Sequence, residues 1–275
     1  MTDTNTSPTA EATPVTTPSV AQQEDAILNA LLGRMTSVGN GKKHLKVLLY
    51  SEPGAGKTTW TGTAPNNLIV DVEKGLASLA NHPDIVKDTV QEFEYKSFEQ
   101  MELLVKYLND DHEAFKHIKT LTIDSVSELH KKGLAEIVER DWKKNPISNN
   151  RYKAETDHHT ENNEHIRRLV SSLRDLERNI ILTAHARTVV KEGSPTKVYP
   201  DFSEKLANTI AGIVDIVIYV DKREINGEMK RVFRFHSNGN ITAKSRIGGL
   251  PPEAVNITWD DLWEAFEKHL AQGNK

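Results

Sequence analysis

The sequence predicts an α/β fold with a mostly parallel central sheet flanked by helices and an antiparallel C-terminal extension. Three observations carry this. Residues 45–60, LKVLLYSEPGAGKTTW, run from an apolar strand through a Gly-containing turn into Lys-Thr-Thr. Apolar strands then alternate with segments of helical periodicity through residue 184, the pattern of a parallel sheet covered on both faces. Finally, an Asn-Gly pair joins two apolar runs near the end, a hairpin turn signal.

In chain order, residues 1–22 (MTDTNTSPTAEATPVTTPSVAQ) are Thr-, Pro- and Ala-rich with few large aliphatics, and are expected to be disordered. Ile27, Leu28, Leu31, Leu32 and Met35 then recur at helical spacing until Gly39 and Gly41. So short a helix needs a surface to bury against, expected to be the core, with a neighbouring subunit as the alternative. Residues 45–50 read as a buried strand and 67–72 as a second. Phe98, Met101, Leu104, Val105 and Leu108 mark one face of a helix. Residues 118–124 form the third strand, followed by a helix with Val126, Leu129, Leu134, Ile137 and Val138 on its apolar side. Residues 143–160 lack a period and are expected to form a mobile excursion, before a polar helix over about 161–178 and a fourth strand at 179–184. Residues 187–202 read as an irregular loop, and 213–220 and 231–236 as the arms of the hairpin. Trp259, Trp263 and Phe266 have the i, i+4, i+7 spacing of a closing helix docked by its aromatic face.

A chain of 275 residues can bury a sizeable core. One domain is expected over residues 23–270, between disordered segments at 1–22 and 271–275. The chain has no Cys, which excludes disulfides and thiolate metal sites and fits a reducing cytosol. It shows neither a basic-then-apolar leader nor an apolar run near the ~18 residues of a membrane span, so a cytoplasmic protein with no membrane partner is expected. The net charge of −4 gives no global attraction to nucleic acid, and such binding would need a locally basic groove.

The chemistry concentrates at residues 51–59. A nucleotide's phosphates need several backbone N–H donors, a helix start and a hydroxyl for the cation within a few residues. Ser51, Glu52, Pro53, Gly54, Ala55, Gly56, Lys57, Thr58 and Thr59 provide that sequence, with Gly54 and Gly56 free to take φ > 0. Lys57 would reach the β- and γ-phosphates and Thr58 would meet Mg²⁺. The usual pattern begins with Gly where this chain has Ser51. Asp124 ends an apolar strand in the position where P-loop NTPases keep the carboxylate that holds Mg²⁺. Ser125 is available to cap the helix that follows. His158, His159 and His165 carry no metal-site spacing, and no metal is assigned to them.

These residues suggest a family. TIDSVSEL at 122–129 resembles the DSVxxL segment of RecA-type recombinases, and IVDVEKGLA at 69–77 resembles their second-strand segment. AKSRIG at 243–248 resembles the KxR element of RecA-fold helicases and recombinases. The resemblance spans most of the folded chain and implies a RecA-like P-loop NTPase, most similar to compact bacteriophage RecA-core ATPases of single-strand annealing and recombination. It implies ATP and Mg²⁺ as cofactors, with Glu73 activating the attacking water and His185 standing where the family keeps a γ-phosphate-sensing polar residue, commonly Gln. Lys244 and Arg246 would reach into a neighbour's site, so a homo-oligomer, ring or filament, is implied. The two irregular segments would grip single-stranded DNA through Lys143, Lys144, Arg151, Tyr152 and Lys153 in the first and Arg187, Lys191 and Lys197 in the second. Single-strand-binding or other recombination proteins are implied as further partners. A nucleotide-gated protein-binding switch without DNA is the alternative. The order of elements, lacking a helical lid, sets the chain apart from AAA+ proteins.

Overall fold

The computed structural model describes residues 20–33, 44–80, 82, 85, 89–147, 149–190 and 196–273. The backbone divides into two units, residues 1–41 and 42–275. Within the first, α1 (Val20–Leu32) begins inside the segment expected to be disordered and runs into the periodic stretch, with Leu28, Leu31 and Leu32 exposed. The rest of the predicted tail lies outside the described residues.

The second unit is an α/β structure built on one sheet. Its strands are β1 (Lys46–Ser51), β2 (Asn67–Asp71), β3 (Val90–Glu94), β4 (Thr120–Asp124), β5 (Asn179–Val189), β6 (Lys197–Pro200), β7 (Ile216–Ile225), β8 (Glu228–Arg234), β9 (Lys244–Ser245) and β10 (Glu253–Val255). The order is β10-β8-β7-β1-β5-β4-β2-β3, with β6 added to β5 and β9 to β7. From β7 to β3 the strands are parallel, while β8 pairs antiparallel with β7 and β10 pairs antiparallel with β8. This is the parallel sheet with an antiparallel C-terminal extension that the sequence predicts.

Helices cover both faces: α2 (Lys57–Thr61), α3 (Phe98–Asn109), α4 (Val126–Lys144), α5 (Thr156–Asp175), α6 (Glu204–Ile213) and α7 (Trp259–Gly273). Alternation along β1 sends Leu48 and Tyr50 into one core with α3 to α6, and Val47 and Leu49 into the other with Trp60, Phe233, Trp259 and Phe266. Trp60 of α2 packs on Phe233 and Trp259, with ring centroids 6.0 and 5.9 Å apart, which fixes the helix after the phosphate loop.

Several expectations need correction. The excursion over 143–160 shrinks, because α4 continues to Lys144 and α5 starts at Thr156. A capping box explains the early start: Glu155 N–H donates to His158 Nδ1 at 2.9 Å, and the Glu155 side chain accepts from the His158 backbone. The loop predicted over 187–202 is a hairpin, since β5 runs on to Val189 and pairs with β6. β3 and α6 were not foreseen, the latter capped by Ser203 accepting from Leu206 N–H. The hairpin turn is as predicted, with Asn226 and Gly227 at φ 56° and 80° between β7 and β8. At the C-terminus α7 continues through Gly273 into the segment expected to be disordered, and residues 274 and 275 lie outside the described residues.

Candidate active site

The site gathers at the carboxyl ends of β1, β2, β4 and β5, where parallel sheets present ligands to their loops. Register does the assembly: Ser51 of β1 pairs with His185 of β5, and Asp71 of β2 pairs with Asp124 of β4. Past β2, Val72 and Glu73 keep their N–H groups on the Asp124 carbonyl, at 2.9 and 3.4 Å. Asp71 then folds the chain, its Oδ1 accepting from the N–H groups of Lys74 (2.7 Å) and Gly75 (3.2 Å). The result delivers Glu73 to the phosphate loop. Lys74, next to it, pairs with Glu94 at 3.3 Å.

The loop at 51–56 turns through Gly54 and Gly56, at φ 78° and 95°. Lys57 folds back over it, its Nζ donating to Ser51 O (3.3 Å), Ser51 Oγ (3.2 Å) and Glu52 O (3.5 Å). Ser51, the departure from the usual Gly, thus supplies an acceptor for the loop's own lysine. Burial pushes the Lys57 pKa down, against the upward pull of Asp124, Glu73 and Glu52.

Behind Lys57, Thr58 Oγ1 donates to Asp124 Oδ2 at 2.6 Å, and Thr183 Oγ1 donates to Asp124 Oδ1. Burial raises the Asp124 pKa above the usual carboxylate range, which the two hydroxyl bonds oppose. A hydroxyl and a carboxylate side by side are hard oxygen donors of the kind Mg²⁺ takes, and a cation there would keep this buried carboxyl ionised. Ser125 caps α4, accepting from Glu128 N–H at 3.3 Å, so Asp124 is not needed for the cap.

Glu73 Oε1 accepts from Ser125 Oγ and lies 2.9 Å from His185 Nε2. The His185 hydrogen bond, helped by Ser125 and the Lys57 charge and opposed by partial burial, draws the Glu73 pKa down to about 2. His185 is held in turn through its backbone N–H, which donates to Ser127 Oγ at 3.1 Å, while its Nδ1 is buried without a partner. Glu73, Asp124, Thr58, Lys57 and His185 are therefore one cluster. Sequence reasoning missed Ser125, Thr183 and Asp71 as its supports. A polar Thr inside the apolar run NIILTA was the available signal for Thr183.

The other predicted residues lie apart. Lys244 Nζ donates to the carbonyls of Ala211 and Val214 (3.2 Å), and Arg246 Nη2 to that of Gly212, so both sit on the C-terminal end of α6. The cations expected to meet DNA have acidic neighbours: Lys143 and Arg151 with Glu139 (3.6 and 3.2 Å), Lys144 with Asp141 (3.6 Å) and Lys153 with Glu155 (3.1 Å). Arg151 also stacks over Trp142 at 4.6 Å, beside an 89 % exposed Tyr152. Arg187 lies over Tyr199 at 5.6 Å across the β5–β6 hairpin that also carries Lys197. Lys191 lies outside the described residues.

Fold and site together define an α/β domain built around a P-loop. The chain belongs to the AAA_24 family, described as an AAA domain, whose model matches residues 43–247. The separation from AAA proteins expected from element order is thus not kept in the family's description. Among the described residues, the part after β7 is β8, β9, β10 and the core-packed helix α7. Two solved structures are remote likenesses. A KaiC-like protein of Pyrococcus horikoshii is 18 % identical over 69 % of this chain and 77 % of its own, with a TM-score of 0.39. The flagellar accessory protein FlaH of Methanocaldococcus jannaschii is 12 % identical over 79 % of this chain and 87 % of its own, with a TM-score of 0.43. No curated protein matches the chain. No described helix is long and apolar enough to cross a membrane.

Proposed function

We propose that this chain is a Mg²⁺-dependent ATPase of the compact RecA-core kind, acting on single-stranded DNA in phage-type recombination, annealing or replication, with nucleotide sites shared between copies. The observation that carries the hydrolytic reading is the convergence of Glu73, Asp124 and Thr58 on Lys57. ATP would lie on residues 51–59, with Lys57 turning from Ser51 and Glu52 to the β- and γ-phosphates. Thr58 and Asp124 would hold Mg²⁺, which when bound neutralises phosphate charge. Glu73 would take a proton from water as its oxygen bonds to the γ-phosphorus and the bond to the bridging oxygen of ADP breaks. A carboxylate held near pKa 2 by His185 and Ser125 is a weak base. Release of His185 toward the γ-phosphate would raise its basicity and couple the nucleotide state to the β5–β6 hairpin.

Lys244 and Arg246 would complete the site of an adjacent copy in a ring or filament. The reading rests on the KxR element and on the half-exposed Arg246, held by the Gly212 carbonyl and, at 3.8 Å, by Asp215. Mixing Arg246→Ala with Lys57→Ala subunits should restore turnover that neither shows alone, and no recovery at any ratio would exclude sharing.

The switch reading without DNA draws on a specific observation, the acidic neighbour beside each of Lys143, Lys144, Arg151 and Lys153. Phosphate release from ATP with Mg²⁺, measured with and without single-stranded DNA, tests both. Release stimulated several-fold by DNA supports the proposal, equal release leaves the switch ATPase, and no release in either case removes the hydrolytic reading.

A further inference from the structure

The flank of β1 opposite Glu73 brings another residue to the phosphate loop. Alternation along β8 puts Arg231 on the same face as Phe233, and Phe233 packs on Trp60 of α2. Arg231 thereby arrives over Gly56: a Cβ at position 56 would stand 3.1 Å from Arg231 Cδ and 3.5 Å from its Nη1. Its backbone is clamped in place. Arg231 N–H donates to Asn256 Oδ1 at 2.9 Å, and Asn256 N–H donates to Arg231 O at 2.8 Å. The neighbouring arginines of the hairpin, Arg223 and Arg234, both pair with Glu253. Among the described residues, the Arg231 guanidinium has no ion pair or hydrogen bond of its own.

A guanidinium is strictly a donor, and the loop beneath it offers backbone N–H groups and the Lys57 ammonium. The guanidinium has no acceptor, and Lys57 has only carbonyl and hydroxyl oxygens of its own loop, so an acceptor-rich anion between them would serve both. Glu73, Asp124 and His185 stand on the other side of β1, at the ends of β2, β4 and β5, which is where the terminal phosphate would be attacked. We propose that Arg231 binds the α- and β-phosphates of the nucleoside di- or triphosphate in the same subunit, closing the phosphate loop from the β8 side. This rests on the nucleotide reading of the site and adds a binding residue to it.

Calorimetric titration of ADP and of ATP with Mg²⁺ into the wild type, Arg231→Ala and Arg231→Lys tests this. Losing a charge-assisted bond to phosphate weakens both nucleotides by about tenfold or more in Arg231→Ala, with Arg231→Lys in between. Arg231→Gln, which keeps the stem, replaces the Ala variant if that one does not fold. Unchanged ADP affinity in a folded variant overturns the proposal. A loss confined to ATP places the contact on the γ-phosphate and overturns it too. A wild type that binds neither nucleotide removes the reading of the site itself and this inference with it, whereas normal wild-type binding with an indifferent Arg231 removes this inference alone.

Discussion

On the β5 side of the phosphate loop the acidic groups are spoken for: Glu73 by His185 and Ser125, Asp124 by Thr58 and Thr183. On the β8 side Arg231 is positioned with equal care through Asn256, yet its guanidinium has no partner among the described residues. The contrast separates two tasks. On the proposed reading, the groups that would perform hydrolysis are held by bonds that a ligand must replace. A group that only binds phosphate can wait open, because a solvated guanidinium loses nothing by it and gains when an anion arrives.

The largest effect expected on this contrast comes from Asp124→Ala, which removes the carboxylate beside Thr58. Single-turnover phosphate release should fall by about 10²–10³-fold, while ADP affinity without Mg²⁺ changes little. An equal fall in both would make Asp124 a structural support of the loop. The Arg231 variants give the converse pattern at about tenfold, in binding rather than in the chemical step.

Smaller effects sharpen the Lys57 and Glu73 arrangements. Ser51→Gly removes one acceptor that competes with phosphate for Lys57. Nucleotide affinity should rise by about two- to threefold, checked by the same titration, with a small loss of thermal stability from a glycine in a buried strand. The pH dependence concerns Glu73, whose folded pKa of about 2 lies below its unfolded value. Its contribution to stability is full above the unfolded pKa near about 4.3 and is lost as pH falls toward about 2. The difference in melting temperature between wild type and Glu73→Gln should shrink over that interval. A difference constant with pH would show that the His185 pairing does not stabilise the fold.

Much of this was readable in the chain. Residues 45–60 announced the loop, the strand-end Asp124 announced part of the β5 flank, and Asn226-Gly227 announced the hairpin, because each is a local pattern with a local cause, whereas Glu73 came from the resemblance to RecA-type recombinases. β3 was hidden because VQEFE is a half-exposed edge strand without alternation. α5 was begun too late because its cap is Glu155 with His158 rather than Ser or Asp. Arg231 had no signature at all. Its place over Gly56 depends on hairpin register, the Asn256 clamp and the packing of Phe233 on Trp60, which exist only once distant segments meet. Lys244 and Arg246 show the reverse case, a motif legible in sequence whose side chains lie on the end of α6 in the single chain.

The central claim is that Glu73 is the base of an ATPase, and Glu73→Gln tests it most directly when ATP binding and phosphate release are measured on the same preparation. The account predicts ATP affinity within a few-fold of wild type and turnover reduced by about 10²–10³-fold. Turnover equal to wild type, with binding intact, would contradict it.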